Sequence, residues 1–215
     1  MKTAYIDFDG TLTLVYLRYA HILASFLECA QADMAAYIPL KKARVRDEEI
    51  ALKLYAKRID DIQAYLHYKR ERLEASCMLC LDECVPGAVQ ALQTLQGCGF
   101  TLHLLSQRRN DARLRAQVEA MGMRAYFAGV TTLAPEKGSQ AKAAWLRTIG
   151  PQARDVVIGD SPTDIMCAKE NGIRLYFVET GLWSAEAANA QEYAFEDIGA
   201  AAKAIEREEM CSSSI

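Results

Sequence analysis

The sequence has no long apolar run. The longest uncharged stretch near its start, Tyr19 to Leu27, falls far short of the roughly 20 residues a membrane-crossing helix needs. After Lys2 the uncharged run ends already at Asp7, too soon for the apolar segment of a secretory signal. Positive charge is not in excess either. With 25 Lys and Arg against 28 Asp and Glu, the net charge of −3 provides no global basic field to recruit nucleic acid or an anionic membrane. The seven cysteines are an odd number without regular spacing, which argues against a disulfide framework and for reduced thiols. These absences lead us to expect a cytoplasmic chain with no membrane or nucleic-acid partner, either a monomer or a homodimer. No internal repeat is visible. The only low-complexity stretch, Met210 to Ile215, follows a charged helical segment and is expected to fray.

Two textures fill the rest of the chain. One is an alternation of short apolar runs with helical periods. Runs at Thr3–Ile6, Phe100–Leu105, Asp155–Ile158 and Arg174–Val178 read as strands, with a further candidate at Ala125–Leu133. Helical stretches follow at Pro86–Gln96, Asp111–Met121, Gln140–Ile149 and Pro162–Asn171. Several carry their own stop signals, such as Gly122 after Met121 and Gly172 after Asn171, and Ser161 is placed to cap the last of them. Strands alternating with helices of this length predict an α/β fold, with a parallel sheet covered on both faces.

The other texture is purely helical. From Leu17 to Cys84, Ile50, Leu54, Ile62, Leu66 and Leu73 recur at helical spacings among charged residues. Pro39 is expected to break the first of these helices from the next. The stretch leaves the first strand just after Asp7 and Asp9 and returns before Pro86, so it reads as a small helical domain inserted into the core.

Three of the apolar strands end in polar residues: Asp7-Phe8-Asp9-Gly10-Thr11, Ser106-Gln107-Arg108, and Gly159-Asp160-Ser161-Pro162-Thr163-Asp164. Open α/β sheets bind ligands beyond the carboxyl ends of their strands, so these loops are expected to share one crevice. Asp7, Asp9, Asp160 and Asp164 would repel one another there unless a cation neutralised them. An all-oxygen ligand set, with no His or Cys in these loops, suits Mg²⁺ better than zinc. Ser106 and Gln107 could contact a phosphate. Lys137, in the loop before the third of these strands, could supply positive charge. Lys142, one turn into the following helix, is its rival. Asp164 could also serve as a helix-capping acid beside Ser161.

Taken together these segments resemble the haloacid dehalogenase superfamily. Asp7 to Leu12 (Asp-Phe-Asp-Gly-Thr-Leu) resembles its first motif, Leu104 to Ser106 its second, Lys137 its third and Gly159 to Asp164 its fourth, in order over almost the whole chain. The resemblance implies a Rossmann-like three-layer α/β/α core over residues 1–16 and 85–215, with an all-helical cap over 17–84. It further implies a Mg²⁺-dependent phosphatase acting on a small phosphorylated metabolite. In that scheme Asp7 is the nucleophile and forms an aspartyl phosphate, and Asp9 is the acid and base. Asp7, the Asp9 backbone carbonyl and Asp160 bind the metal, Asp164 binds it through water or orients Lys137, and Ser106 and Lys137 hold phosphoryl oxygens. Asp9, an acid two residues after the nucleophile, favours phosphate esters over dehalogenation. It leaves open a phosphomutase, with a catalytically silent phosphate-binding module as a further rival.

Other clusters have simpler readings. Cys77, Cys80 and Cys84 suggest zinc, but no fourth ligand is evident and buried reduced thiols suffice. Lys41, Lys42, Arg44 and Arg46 could touch an anionic substrate, although a solvated helix face is the simpler account. Arg108 and Arg109 follow Ser106 and could reach a second phosphate or a carboxylate. Tyr16, Tyr19, Tyr55, Tyr65 and Tyr68 read as packing within the helical insertion rather than as a base-stacking platform.

Overall fold

In the computed structural model, which describes residues 2–212, the chain starts with strand β1 (Lys2–Ile6) and a two-residue strand β2 (Thr13–Leu14). Five helices follow: α1 (Tyr16–Phe26), α2 (Met34–Lys42), α3 (Asp47–Tyr55), α4 (Ile62–Arg72) and the single turn α5 (Ser76–Leu79). Strand β3 (Glu83–Cys84) then leads back to an alternating pattern: α6 (Ala88–Gly97), β4 (Phe100–Gln107), α7 (Asp111–Ala120), β5 (Phe127–Leu133), α8 (Ala141–Ile149), β6 (Val156–Gly159), α9 (Pro162–Glu170) and β7 (Arg174–Val178). The chain closes with α10 (Ala185–Ala188), β8 (Ala194–Phe195) and α11 (Ile198–Ser212). Among the described residues no helix is long and apolar enough to cross a membrane.

Six strands form one parallel sheet in the order β5-β4-β1-β6-β7-β8. Period-2 alternation sends each strand's residues to opposite faces. Ala4, Ile6, Leu102, Leu104, Val156 and Ile158 pack in one buried cluster with Leu92 and Leu95 of α6, Leu114 and Val118 of α7, and Ile205 of α11. The intervening residues Tyr5, Leu105, Val157, Leu175 and Phe177 pack in the opposite cluster, with Leu146 of α8 and Cys167 of α9. Helices therefore cover both faces, the three-layer α/β/α arrangement that an all-parallel sheet requires. Each fully buried Leu or Ile contributes about 1.5–3 kcal/mol through removal of apolar surface from water.

The helices of the insertion have an apolar cluster of their own. Ala20, Leu23 and Leu27 of α1 and its C-terminal end meet Tyr37 of α2, Ile50 and Ala51 of α3, and Tyr65 of α4. Both crossings between this unit and the sheet run through one antiparallel pair, Thr13 with Cys84 and Leu14 with Glu83. Two-residue strands give too little periodic signal to be seen in the sequence.

Several local expectations change. Pro39 lies inside α2 rather than between two helices. The break falls earlier: Glu28 adopts a left-handed conformation (φ 53°) beyond the end of α1, and the Asp33 carboxylate accepts from the Ala35 amide to start α2. A side-chain cap at the new start outweighs the one interior hydrogen bond Pro39 cannot make. Cys77, Cys80 and Cys84 are exposed rather than buried, because α5 and β3 lie at the surface of the crossing. Met210 to Ser212 continue α11, so the frayed end expected from Met210 onward is helical as far as Ser212, and the remainder lies outside the described residues. Tyr16 leaves the helical unit's packing altogether and donates its hydroxyl to the Gly181 carbonyl in the sheet domain.

Because the insertion carries its own core, Ile50→Ala should cost about 2–5 kcal/mol of local stability. Amide hydrogen exchange should accelerate across 16–79 and stay slow in β1, β4 and β6. Equal acceleration in the sheet would show that the two apolar clusters unfold as one.

Candidate active site

The three central strands β4, β1 and β6 are neighbours, so their carboxyl ends open on the same edge of the sheet. Asp7 follows β1, and its amide still donates to the Ile158 carbonyl (2.9 Å), which continues the pairing with β6 and fixes where the carboxylate starts. The chain then coils tightly. The Phe8 carbonyl accepts from the amides of Leu12 (2.9 Å) and Thr13 (3.1 Å), and Gly10 takes the left-handed conformation (φ 79°) that glycine adopts without strain. This coil moves Asp9 away from the face it would occupy in a continuous strand.

Asp7, Asp160 and Asp164 are buried and offer carboxylate oxygens within 4.8 Å of one another, the one such cluster of potential metal ligands among the described residues. Thr11 Oγ1 donates to Asp160 at 3.1 Å. Glycines make room for Asp160: a Cβ on Gly181 would stand 1.7 Å from its Oδ2, and one on Gly10 would stand 2.5 Å away. Asp164 sits in the first turn of α9 and accepts from the Ser161 amide (3.2 Å) and hydroxyl (2.5 Å). It therefore caps the helix and faces the site at once.

The lysine that completes the cluster is Lys142. Its Nζ lies 2.8 Å from Asp7 and 2.6 Å from Asp164, and the side chain is only 1% exposed. Lys137, the residue expected from the sequence, is exposed on a short 3-10 turn at Pro135–Lys137. The reason is local. The 3-10 turn ends at Gly138, and helix α8 begins at Ala141, so the second helical residue rather than the turn faces the sheet edge. Gln107 lines the cleft, and its Nε2 donates to the Gly138 carbonyl at 3.0 Å. Ser106 is buried and lines a cleft of about 410 Å³ together with Asp7, Asp9, Gln107, Lys142 and Trp183. A larger groove of about 670 Å³ between α6 and α11 contains none of these residues.

Charge in the cluster is out of balance, with one ammonium against three carboxylates. Burial pushes Asp7 up to about 6. Lys142 opposes that rise, and the neighbouring Asp164 and Asp9 add to it. Asp160 is raised well above the usual carboxylate value by burial and then by Asp7 and Asp164. Burial works against a charged Lys142, but Asp164 and Asp7 outweigh it and hold the ammonium protonated. Hard oxygen ligands with a deficit of positive charge are what a small divalent cation satisfies, so the residues present fit a metal of that kind.

Asp9 stands apart from this cluster. Its carboxylate is gripped by two buried arginines: Arg108 Nε and Nη2 at 2.5 and 2.6 Å, and Arg18 Nη2 at 2.6 Å. Burial would raise its pKa, but Arg108 and then Arg18 overcome that and hold it well below the usual carboxylate range. From the sequence Arg108 could reach a second phosphate or a carboxylate, and the carboxylate it meets here is that of Asp9; Arg18 was not singled out. Arg18 lies on a helix of the insertion, and nothing in its local sequence distinguishes it from a surface arginine. Tyr16, Thr11 and Gly181 were missed for a similar reason, since their roles depend on contacts across the fold.

The haloacid dehalogenase-like hydrolase family model matches residues 5–178. The chain belongs to that family. No match was found among curated proteins. Among solved structures, this haloacid dehalogenase-like hydrolase is similar to a predicted phosphatase from Clostridium acetobutylicum, with 16% identity, a TM-score of 0.67 and 95% of this chain and 97% of that one covered. It is also similar to a predicted phosphoglycolate phosphatase from Haemophilus somnus, with 18% identity, a TM-score of 0.68 and coverage of 95% and 97%. A Thermotoga maritima structure provisionally named beta-phosphoglucomutase aligns at 17% identity and a TM-score of 0.62, with coverage of 96% and 99%. At these identities the structures establish a shared fold.

If Asp160 is a metal ligand in this hydrolase, Gly181→Ala should displace its carboxylate and weaken divalent-cation binding by about tenfold or more, as losses beside a ligand do. Isothermal calorimetry with Mg²⁺ reads this directly, and unchanged affinity would remove Asp160 from the ligand set.

Proposed function

We propose that this hydrolase is a Mg²⁺-dependent phosphatase that cleaves a small phosphorylated metabolite through an aspartyl phosphate on Asp7. The observation that carries the reading is Lys142, buried between Asp7 and Asp164 in a cleft that Ser106 also lines. Residues 1–16 and 85–215 form the core domain in this reading, and 17–84 form a helical cap that covers the cleft. The free cysteines fit a reducing cytoplasm.

Asp7, Asp160 and Asp164 would hold the cation, with the Asp9 carbonyl as a further ligand. The cation, when bound, supplies positive charge for the phosphoryl oxygens. Lys142 fixes the Asp7 carboxylate and adds a second positive charge near the transferring group. Ser106 is placed to donate to a phosphoryl oxygen. In the first step an Asp7 oxygen bonds to phosphorus while the ester P–O bond breaks, and Asp9 gives its proton to the leaving oxygen. In the second, water attacks phosphorus, the Asp7–phosphorus bond breaks and Asp9 takes the water's proton. The doubly arginine-held, ionised Asp9 matches the second step as it stands. For the first, its grip by Arg18 and Arg108 must loosen so that the carboxyl can carry a proton. Because the phosphoryl transition state is loose, positioning and charge neutralisation supply most of the rate.

A phosphomutase would use the same pair of aspartates, and the likeness to the Thermotoga maritima structure keeps that reading in view. Release of inorganic phosphate from a sugar phosphate, measured against isomer formation, separates the two.

The purified protein should hydrolyse an aryl phosphate with Mg²⁺, lose turnover to a chelator and regain it on Mg²⁺ addition. Asp7→Asn should abolish turnover and the acid-stable, hydroxylamine-sensitive phosphoenzyme. Turnover that survives Asp7→Asn would refute the nucleophile. The two lysines make a sharper comparison. Lys142→Met should lower kcat about 10²–10³-fold, the usual loss for one preorganised charge-stabilising donor, while Lys137→Ala should stay within about twofold. The reverse order would return the role to Lys137.

A further inference from the structure

We propose that Arg44 is a specificity-determining residue that binds a second anionic group, a carboxylate or another phosphate, at the non-reacting end of the substrate. This rests on the phosphatase reading above and names the class of ester it acts on.

Arg44 lies in the turn after α2 and holds a left-handed backbone conformation (φ 61°), uncommon for a residue with a side chain. Its guanidinium stacks over the Trp183 ring, 3.8 Å from the centroid. Trp183 in turn lines the same cleft as Asp7, Asp9, Ser106 and Lys142. The main chain holds this contact in place, because the Ser184 amide donates to the Lys42 carbonyl at 3.3 Å. Arg44 is thus fixed against Trp183, itself a wall of the cleft, where the helical unit meets the sheet domain.

The side chain is exposed, and among the described residues no carboxylate lies within ion-pair distance of it. A guanidinium stacked on an aromatic face keeps its edge N–H donors free. Their planar fork suits a carboxylate or phosphate in two parallel hydrogen bonds.

The surroundings add charge of the same sign. Lys41 and Lys69 both pair with one acid, Asp47, at 2.7 and 2.6 Å. Two ammonium groups on one carboxylate leave a net positive charge, and Arg44 is near enough to Asp47 and Tyr19 to feel both. The Tyr19 ring connects this cationic group to the chemistry. Lys69 and Lys41 lie 5.2 and 5.9 Å from its centroid, and Arg18, which holds Asp9, lies 5.7 Å from it. Lys142 and the metal ligands already provide for the reacting phosphate. Arg44 is a separate positive site beside the same cleft, against Trp183, and an ester with a single phosphate and an uncharged tail would leave it unused.

The test is steady-state kinetics on the whole protein with Mg²⁺ and four kinds of ester: an aryl phosphate with no other charge, an alkyl monophosphate with an uncharged tail, a short phosphorylated hydroxy acid, and an alkyl bisphosphate. The wild type should show kcat/KM at least tenfold higher for one of the two doubly anionic esters than for an uncharged aliphatic ester of equal length, and which one identifies the second anion. Arg44→Gln should reduce that preference about tenfold or more, chiefly through KM, and Arg44→Lys should restore part of it. In the wild type itself, rising salt should erode the preference, a readout that does not depend on any variant folding. No preference in the wild type overturns the proposal, as does an Arg44→Gln variant that slows all esters by one common factor, the mark of a purely structural seam. Absence of hydrolysis of every ester, the aryl phosphate included, would instead remove the phosphatase reading and this inference with it.

Discussion

The site depends on one buried ammonium. Lys142 is almost fully enclosed, and an unpaired charge at that depth would be too costly to keep. Asp7 and Asp164 meet that need from two different elements, the end of β1 and the first turn of α9. Because Lys142 comes from α8, a single cation fastens three elements whose relative placement defines the cleft. The same contacts restrain Asp7, the proposed nucleophile, to one orientation. Three carboxylates against one ammonium still leave negative charge in excess, so the protein part of the site is electrostatically incomplete by itself. That shortfall is the physical case for a cation.

A second charged network joins the helical unit to the sheet domain. Arg18 reaches Asp9 with one nitrogen, the Leu73 carbonyl with another (2.8 Å), and faces Asp82 at 3.1 Å with its Nε. Arg108 adds Gln117, which in turn holds Asp82 at 2.9 Å and the Leu79 carbonyl at 3.2 Å. Asp82 is pushed up to about 6 by burial, with Arg18 pulling the other way and Asp9 adding to the rise. Asp9 is therefore coupled to residues at both ends of the insertion, so a shift of the helices relative to the sheet changes how tightly the arginines hold it.

The fold was largely legible because its two periods differ so clearly. Alternation of short apolar runs with capped helices implied a two-sided parallel sheet, and the strand-end acids fell where such a sheet concentrates function. The lysine shows where that reading stops. Lys137 and Lys142 are five residues apart, both in a plausible region, and only the turn at Gly138 and the start of α8 decide which one faces the sheet. Arg18 and Gly181 carry no local signal at all, since one is defined by its reach to Asp9 and the other by the space it leaves for Asp160. The exposure of Cys77, Cys80 and Cys84 follows from the single turn α5 and the two-residue strand β3, both too short to announce themselves. Lys41 was read as part of a solvated basic face, but Asp47, six residues on and across a turn, draws it inside.

The β2–β3 pair also bears on how such a protein can change over time. Leu14 and Glu83 are register partners, so the points where the helical unit departs and returns lie side by side, about 5 Å apart as neighbouring strands are. To the sheet domain, everything between them is equivalent to one long hairpin loop, and lengthening such a loop carries only a slowly growing entropic penalty. The helices can be exchanged for another set without disturbing a single rung of the six-stranded sheet. What a replacement must reproduce is small and specific: a cation to stand where Arg18 meets Asp9, and a hydroxyl to stand where Tyr16 meets Gly181. Substrate preference is thus free to diverge while the strand-end acids and Lys142 stay in place.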